Sequence, residues 1–320
     1  MRHGETDWNR QLRVQGGGRD ILLNATGRAQ AAQCAAALAR QYGGSDAAVA
    51  PPVVHTSTLQ RASETALEIA RALNHRVGAG QRRQQIGAPQ QRRRQPMPSI
   101  AVATTSELCE WSLGALEGLT KLDAAAAHPE SWELFTHWCL PLAVSTVDAA
   151  TPISGGGESM DQVRLRAVAC IDAACQAAPE GPQASEAPLI VVAHGGVIGQ
   201  LLRHVWLQQS RRLHVASEWR SNDNYVRPMH HISSESARGG RAEGGEGDVA
   251  KEAEGGAEQE LRRRISGYCE RPPVNGSITR FSVPVVGGQQ GGGWEVLDWA
   301  DSSHLSGEAA PVAANYDDEQ

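Results

Sequence analysis

Arg2, His3 and Gly4 stand together near the start of the chain, with Asn9 close behind. On its own an Arg beside a His is an ordinary surface pair. Similar groups stand at the ends of other expected elements, however. Arg61 opens a helix that follows a strand, and His194 ends the apolar run LIVVA, with Gly195 and Gly196 after it. In an open parallel sheet, ligands bind outside the carboxyl ends of the strands. Arg2, His3 and His194 are then expected over one crevice, with Arg61 leaning in from the next loop. Two Arg and two His around one pocket call for an anion. Arg presents a planar fork that matches phosphate oxygens, and the glycines let backbone N–H groups approach an anion at a helix start. A phosphoryl group is the natural occupant, since sulfate or carboxylate gives no reason for two histidines.

Neutral imidazole carries a nucleophilic lone pair near pH 7. In-line attack on phosphorus forms a phosphohistidine and splits one hard displacement into two easier ones. The leaving alkoxide needs a proton, so a carboxylic acid is expected nearby. ELCEWSLGALEGLT, 107–120, offers Glu107, Glu110 and Glu117. Spacing alone does not choose among them.

The elements that must position these groups alternate between strand-like and helix-like. Residues 26–42 are Ala-rich, with Thr26 as the expected N-cap and Gly43-Gly44 as the stop. PPVVHTS, 51–57, reads as a strand running into a helix, with Ser57 and Gln60 at capping-box spacing. LIVVAHGGVIGQLLRHVWL, 189–207, is a buried-type strand, a Gly turn and a helix. SITRFSVPVV and WEVLDWA read as two late strands. This alternation predicts an α/β fold, a single domain over 1–320 with a mostly parallel sheet covered on both faces.

Two segments break the pattern. Residues 76–98 are Arg-, Gln- and Pro-rich, and 233–273 are Gly-, Glu- and Arg-rich. Neither offers enough apolar area to offset its ordering entropy, so both are expected to be disordered insertions. Their Arg runs lack interleaved aromatics, and the second carries acids as well, so nucleic acid is not the expected partner. The net charge of −6 points to no polyanion either. Aromatic content is 4%, so Ala, Leu and Val must fill the core. Cys34, Cys109, Cys139, Cys170, Cys175 and Cys269 form no CxxC pair and no zinc framework. Free thiols, no basic-then-apolar leader and no apolar run of spanning length lead to a cytoplasmic expectation without membrane contact.

Set in order, these stretches are more specific. RHGETDWN, D-x-L-L-N-x-T-G-R-A-Q-A at 20–31, S-x-L-x-R-A-x-x-T-A at 57–66 and L-x-E-x-x-x-G-x-L-E-G-L-T at 108–120 come first. GGES at 156–159, VVAHGG at 191–196, NGSI and WADSSHL follow. This series resembles the histidine phosphatase superfamily, the phosphoglycerate mutase-like proteins, over most of the chain outside the insertions. The resemblance implies a three-layer α/β/α fold, no metal or cofactor, and a small phosphorylated metabolite as partner. It implies His3 as nucleophile, His194 as stabiliser of the transferring group and Glu110 as proton donor. Arg2 and Arg61 become phosphate clamps, Asn9 a phosphate contact, and Gly4, Thr6 and Gly195 pocket residues, with Glu158 shaping the far side. The GALEGLT stretch resembles phosphatase members, so a phosphomonoester phosphatase is the first expectation and mutase-type phosphoryl transfer the second.

In the family, RHG ends a central first strand, whereas here only Met1 precedes Arg2. The first strand is therefore expected to be truncated. The intact downstream blocks favour a natural start further upstream. With a true truncation, His3 would sit on a loose terminus, and the chain would be an inactive phosphate-binding relative acting through its charged insertions.

Overall fold

A computed structural model describes residues 1–42, 52–85, 99–137, 148–177, 188–212, 260, 263–264, 268, 271–284 and 293–310. The β-branched run of β1 (Val53–Ser57) forms the middle of a parallel sheet, between β2 (Val102–Thr105) and β3 (Leu189–Val192). Parallel neighbours need crossovers rather than hairpins. Helix α3 (Gln60–Gln85) lies between β1 and β2 in the chain, and α6 (Met160–Gln176) lies between β2 and β3.

The first three residues take the place of a strand beside β3. Arg2 pairs in parallel with Ala193. The Met1 ammonium donates to Val191 O at 2.6 Å, Ala193 N–H to Met1 O at 2.9 Å, and His3 N–H to Ala193 O at 3.0 Å. On the other edge, Arg2 N–H reaches Ser277 O and Gly276 N–H reaches His3 O, each at 3.1 Å. Those partners lead into β4 (Ile278–Ser282), which pairs antiparallel with β5 (Glu295–Asp301). Met1–His3 thus ties the parallel sheet to the antiparallel pair. His3 is buried in that seam and does not sit on a loose terminus.

Side chains of β3 alternate between two cores, as the pleat requires. Ile190 and Val192 pack with Cys34 and Leu38 of α2 (Ala25–Tyr42) and with Ile69 and Leu73 of α3. Leu189, Val191 and Ala193 pack with Val163 and Ile171 of α6 and with Val197 and Leu201 of α7 (Gly195–Arg212). Helices therefore cover both faces, and the fold is α/β with the expected layers. Among the described residues no helix is long and apolar enough to cross a membrane.

Several local expectations are corrected. The N-cap of α2 is Asn24, whose Oδ1 accepts from Gly27 N–H at 2.8 Å, because Thr26 already lies inside the helix. Helix α3 is capped from a distance: Asp20 accepts from Gln60 N at 2.7 Å and Nε2 at 3.1 Å. Ser57 stays in β1 and its hydroxyl accepts from Leu59 N–H instead. Capping boxes do form at Thr6–Asn9, opening α1 (Asp7–Arg10), and at Ser159–Gln162, opening α6. Helix α3 also continues to Gln85, so 76–85 is helical rather than disordered; Arg and Gln are good helix formers when a docked helix is there to extend. Residues 86–98 lie outside the described residues, as does 233–273 apart from 260, 263–264, 268 and 271–273.

Candidate active site

A cleft opens at the carboxyl end of the parallel strands, lined by Arg2, His3, Asn9, Arg61, Glu110 and Gly196 among others. The His3 Nδ1 lies 2.6 Å from Gly4 O. A carbonyl only accepts, so Nδ1 carries the hydrogen and Nε2 keeps its lone pair. His194, where β3 runs into α7, sets its ring 5.0 Å from that of His3, tilted by 59°. It is buried, and among the described residues neither of its ring nitrogens has a hydrogen-bond partner. Burial, then Arg61 and Arg2, hold His3 well below the usual histidine range. Burial followed by Arg61, His3 and Arg2 does the same to His194. Both rings are neutral at pH 7.

Both guanidiniums are fixed by backbone. Arg61 donates through Nη1 to Arg19 O at 2.8 Å and through Nη2 to Gly16 O at 2.9 Å, while its buried Nε has no partner. The Asp20 cap lies next to those carbonyls, so one loop holds both the helix start and the Arg it presents. Arg2 donates through Nη1 to Pro273 O at 2.7 Å. The Asn9 Oδ1 accepts from Thr6 N, the Thr6 hydroxyl and Asn275 Nδ2, which leaves its NH₂ for the cleft. The Glu110 carboxylate accepts from Trp111 N–H at 2.8 Å and Gly196 N–H at 3.2 Å. The α7 N-terminus therefore serves the protein's own acid, and a Cβ at position 196 would run into that carboxylate.

Four expected site residues stand behind the cleft instead of lining it: His194, against the His3 ring, and Gly4, Thr6 and Gly195. Gly4 lets the His3 loop press on the Gly27 backbone, where any Cβ would clash. Thr6 caps α1 and orients Asn9. Gly195 begins α7. Glu158 holds the far side from outside the cleft: it takes two bonds from Arg166 at 2.8 and 2.9 Å and one from Ser112 N–H at 3.0 Å. Burial raises its pKa, but these bonds outweigh that and bring it below the usual range. The same Arg166 donates to Glu107 O and Glu110 O, steadying the acid's backbone.

Apart from Glu117, which the sequence offered only as a candidate acid, the other residues of the site were not singled out by the sequence. Asn275 donates to His3 O at 3.2 Å, to Gly4 O at 3.4 Å and to Asn9 Oδ1 at 3.2 Å. The NGSI block was the one signal that could have found it. Glu117 accepts from Gly18 N–H and Leu113 N–H, clipping the Gly-rich loop to the acid's loop. Leu12, Arg13, Gln15, Lys121 and Phe135 also line the cleft, and no local pattern marks them. Among the described residues no cluster of His, Cys, Asp or Glu is arranged to hold a metal ion.

A fold with this sheet and two facing histidines fits one family in particular. The profile of the histidine phosphatase superfamily, branch 1, matches residues 1–86 and 81–218, and the chain belongs to that superfamily. It is 29% identical over 201 residues to phosphoglycerate mutase-like protein 4 of Arabidopsis thaliana, covering 63% of this chain and 67% of that one. It is 32% identical over 198 residues to the metal-independent phosphoserine phosphatase of the same plant, covering 62% and 63%. This chain thus spans about two thirds of the length of these relatives. A solved mycobacterial glucosyl-3-phosphoglycerate phosphatase is 27% identical with a TM-score of 0.45, covering 64% of this chain and 77% of that one.

Proposed function

We propose that the protein is a phosphomonoester phosphatase working through a phosphohistidine on His3, without a metal. The observation that carries this reading is the His3 ring itself. Its Nδ1–H is bound to Gly4 O, so Nε2 keeps its lone pair, and the ring lines a cleft shared with two fixed guanidiniums while His194 packs against it. Nε2 attacks phosphorus as the P–O bond to the alcohol breaks, and Glu110 gives its proton to the departing oxygen. Water then attacks the phosphohistidine, Glu110 takes a proton from it, the N–P bond breaks and inorganic phosphate leaves. Arg2, Arg61, His194 and the Asn9 amide hold the phosphoryl oxygens, with charge and donors already in place. The two Arg supply the positive charge that a metal supplies elsewhere.

Solvent access favours hydrolysis over mutase-type transfer. Among the described residues the cleft opens past exposed Leu12 and Arg13, which gives water a route to a phosphohistidine here. The substrate in this reading is a small phosphorylated metabolite. Free thiols at Cys34, Cys109, Cys170 and Cys175 suit a reducing, cytoplasmic setting. The test is turnover of a generic phosphomonoester with chelator present, in the protein and in His3→Ala. Activity that survives chelation and vanishes with His3 supports the reading; activity retained by His3→Ala overturns it.

A further inference from the structure

Leu12 sits in a turn that favours a different residue. Helix α1 ends with Arg13 N–H on Trp8 O at 2.9 Å and Leu12 N–H on Asn9 O at 3.0 Å. This is the Schellman arrangement, which puts the residue after the C-cap in the left-handed region. That residue is Leu12, at φ 54°. Glycine is preferred there because any Cβ crowds the following carbonyl oxygen. Burial does not compensate, since Leu12 is 39% exposed. A strained residue that adds nothing to the core points to a use for its side chain.

The surroundings supply that use. Leu12 lines the mouth of the catalytic cleft with Val14, Trp111, Leu113 and Phe135. Phe135, on α5 (Pro129–Thr136), is held by Trp132 at a ring distance of 5.4 Å and by Trp111 at 6.2 Å, a fixed aromatic wall beside one exposed aliphatic side chain. The two cations at the mouth are engaged within the protein. Arg13 donates to Gly118 O at 2.7 Å and Gln11 Oε1 at 3.1 Å, and Lys121 also has a partner. Among the described residues the mouth thus sets an apolar wall beside two cations that already have partners within the protein.

We infer that Leu12 and Phe135 grip the alcohol part of the substrate and select phosphomonoesters that carry an aromatic or branched apolar group next to the scissile oxygen. This inference rests on the phosphatase reading above and assigns its substrate class.

The test compares kcat/KM for benzyl phosphate and glycerol 1-phosphate. Both leave as alkoxides, and the ratio is read across variants, so intrinsic reactivity cancels. The protein as it stands should prefer the benzyl ester by roughly tenfold, the scale of a modest apolar contact. Leu12→Gly should cut that preference several-fold while its thermal midpoint holds or rises, because glycine relaxes the turn. Phe135→Leu should lower the preference as well. Equal efficiencies for the two esters overturn the inference alone, as does a Leu12→Gly that leaves the preference intact or lowers the thermal midpoint. Turnover of neither ester overturns the phosphatase reading and this inference with it.

Discussion

His3, which lines the cleft, and His194, which packs against it from behind, are held in opposite ways. His194 ends a strand paired in register with β1 and followed by an 18-residue helix, so regular structure places it. His3 ends a three-residue segment placed by single bonds, from Ala193 on one edge and from Gly276, Ser277 and Asn275 on the other. The placement of His3 is thus a long-range property, since its seam joins parts from opposite ends of the chain, and that of His194 a local one.

His3→Ala is the largest break in the comparison. It should lower kcat by at least about 10⁴-fold, since losing the nucleophile leaves only binding and electrostatics. The fold should persist, as read by circular dichroism, because the backbone bonds of residue 3 remain. His194→Asn should cost less, about 10²–10³-fold in kcat, as the loss of one stabilising donor does; steady-state kinetics check it. An equal loss at the two positions would remove the asymmetry. Asn275→Ala tests the seam alone. Gly276 N–H still holds His3 O, so the expected cost is about tenfold in kcat with little change in KM, close to the free energy of one or two buried hydrogen bonds. A change confined to KM would mean that Asn275 does not align the nucleophile.

Acid sensitivity is the smallest effect. Both histidines titrate well below 6.5 in the folded protein. Under acid the unfolded chain binds protons that the folded sites refuse, so the histidines' contribution is flat above about pH 7 and falls as pH drops below 6.5. Each ring contributes up to about 1.4 kcal/mol per pH unit until its own low pKa is reached. Denaturant titrations between pH 7 and 5 should show this slope, and His194→Asn should remove its own share of it.

The sequence carried much of this because β1, β3 and the helices after them have local signatures. A β-branched run, a Gly turn and a helical period mark LIVVAHGGVIGQ without reference to anything distant. SITRFS and WEVLDWA were also readable as strands, though not which edge they would take. What stayed hidden depends on contacts between distant parts of the chain. β2 is short and mostly exposed, with a weak pattern in VATT. The Asp20 cap of α3 spans forty residues, and the Ser57–Gln60 spacing imitated a local alternative. Helices α4 (Lys121–Ala127) and α5, which close the mouth, follow the catalytic acid without a period long enough to read. The catalytic types were legible as types; Glu110 needed the resemblance to separate it from Glu107 and Glu117. In the structure Glu117 acts as a clip for the Gly-rich loop, and Glu107 is exposed with its carbonyl bound by Arg166. The strain at Leu12 shows only in the backbone angle.

The central claim is that His3, rather than His194, carries the phosphoryl group. Rapid mixing with a labelled phosphomonoester, quenching in base to preserve phosphohistidine, and peptide mapping read this directly. The account predicts acid-labile label on the peptide containing His3, enriched in Glu110→Gln, where hydrolysis of the intermediate is slowed. Label on the His194 peptide, or full turnover without any labelled histidine, would contradict it.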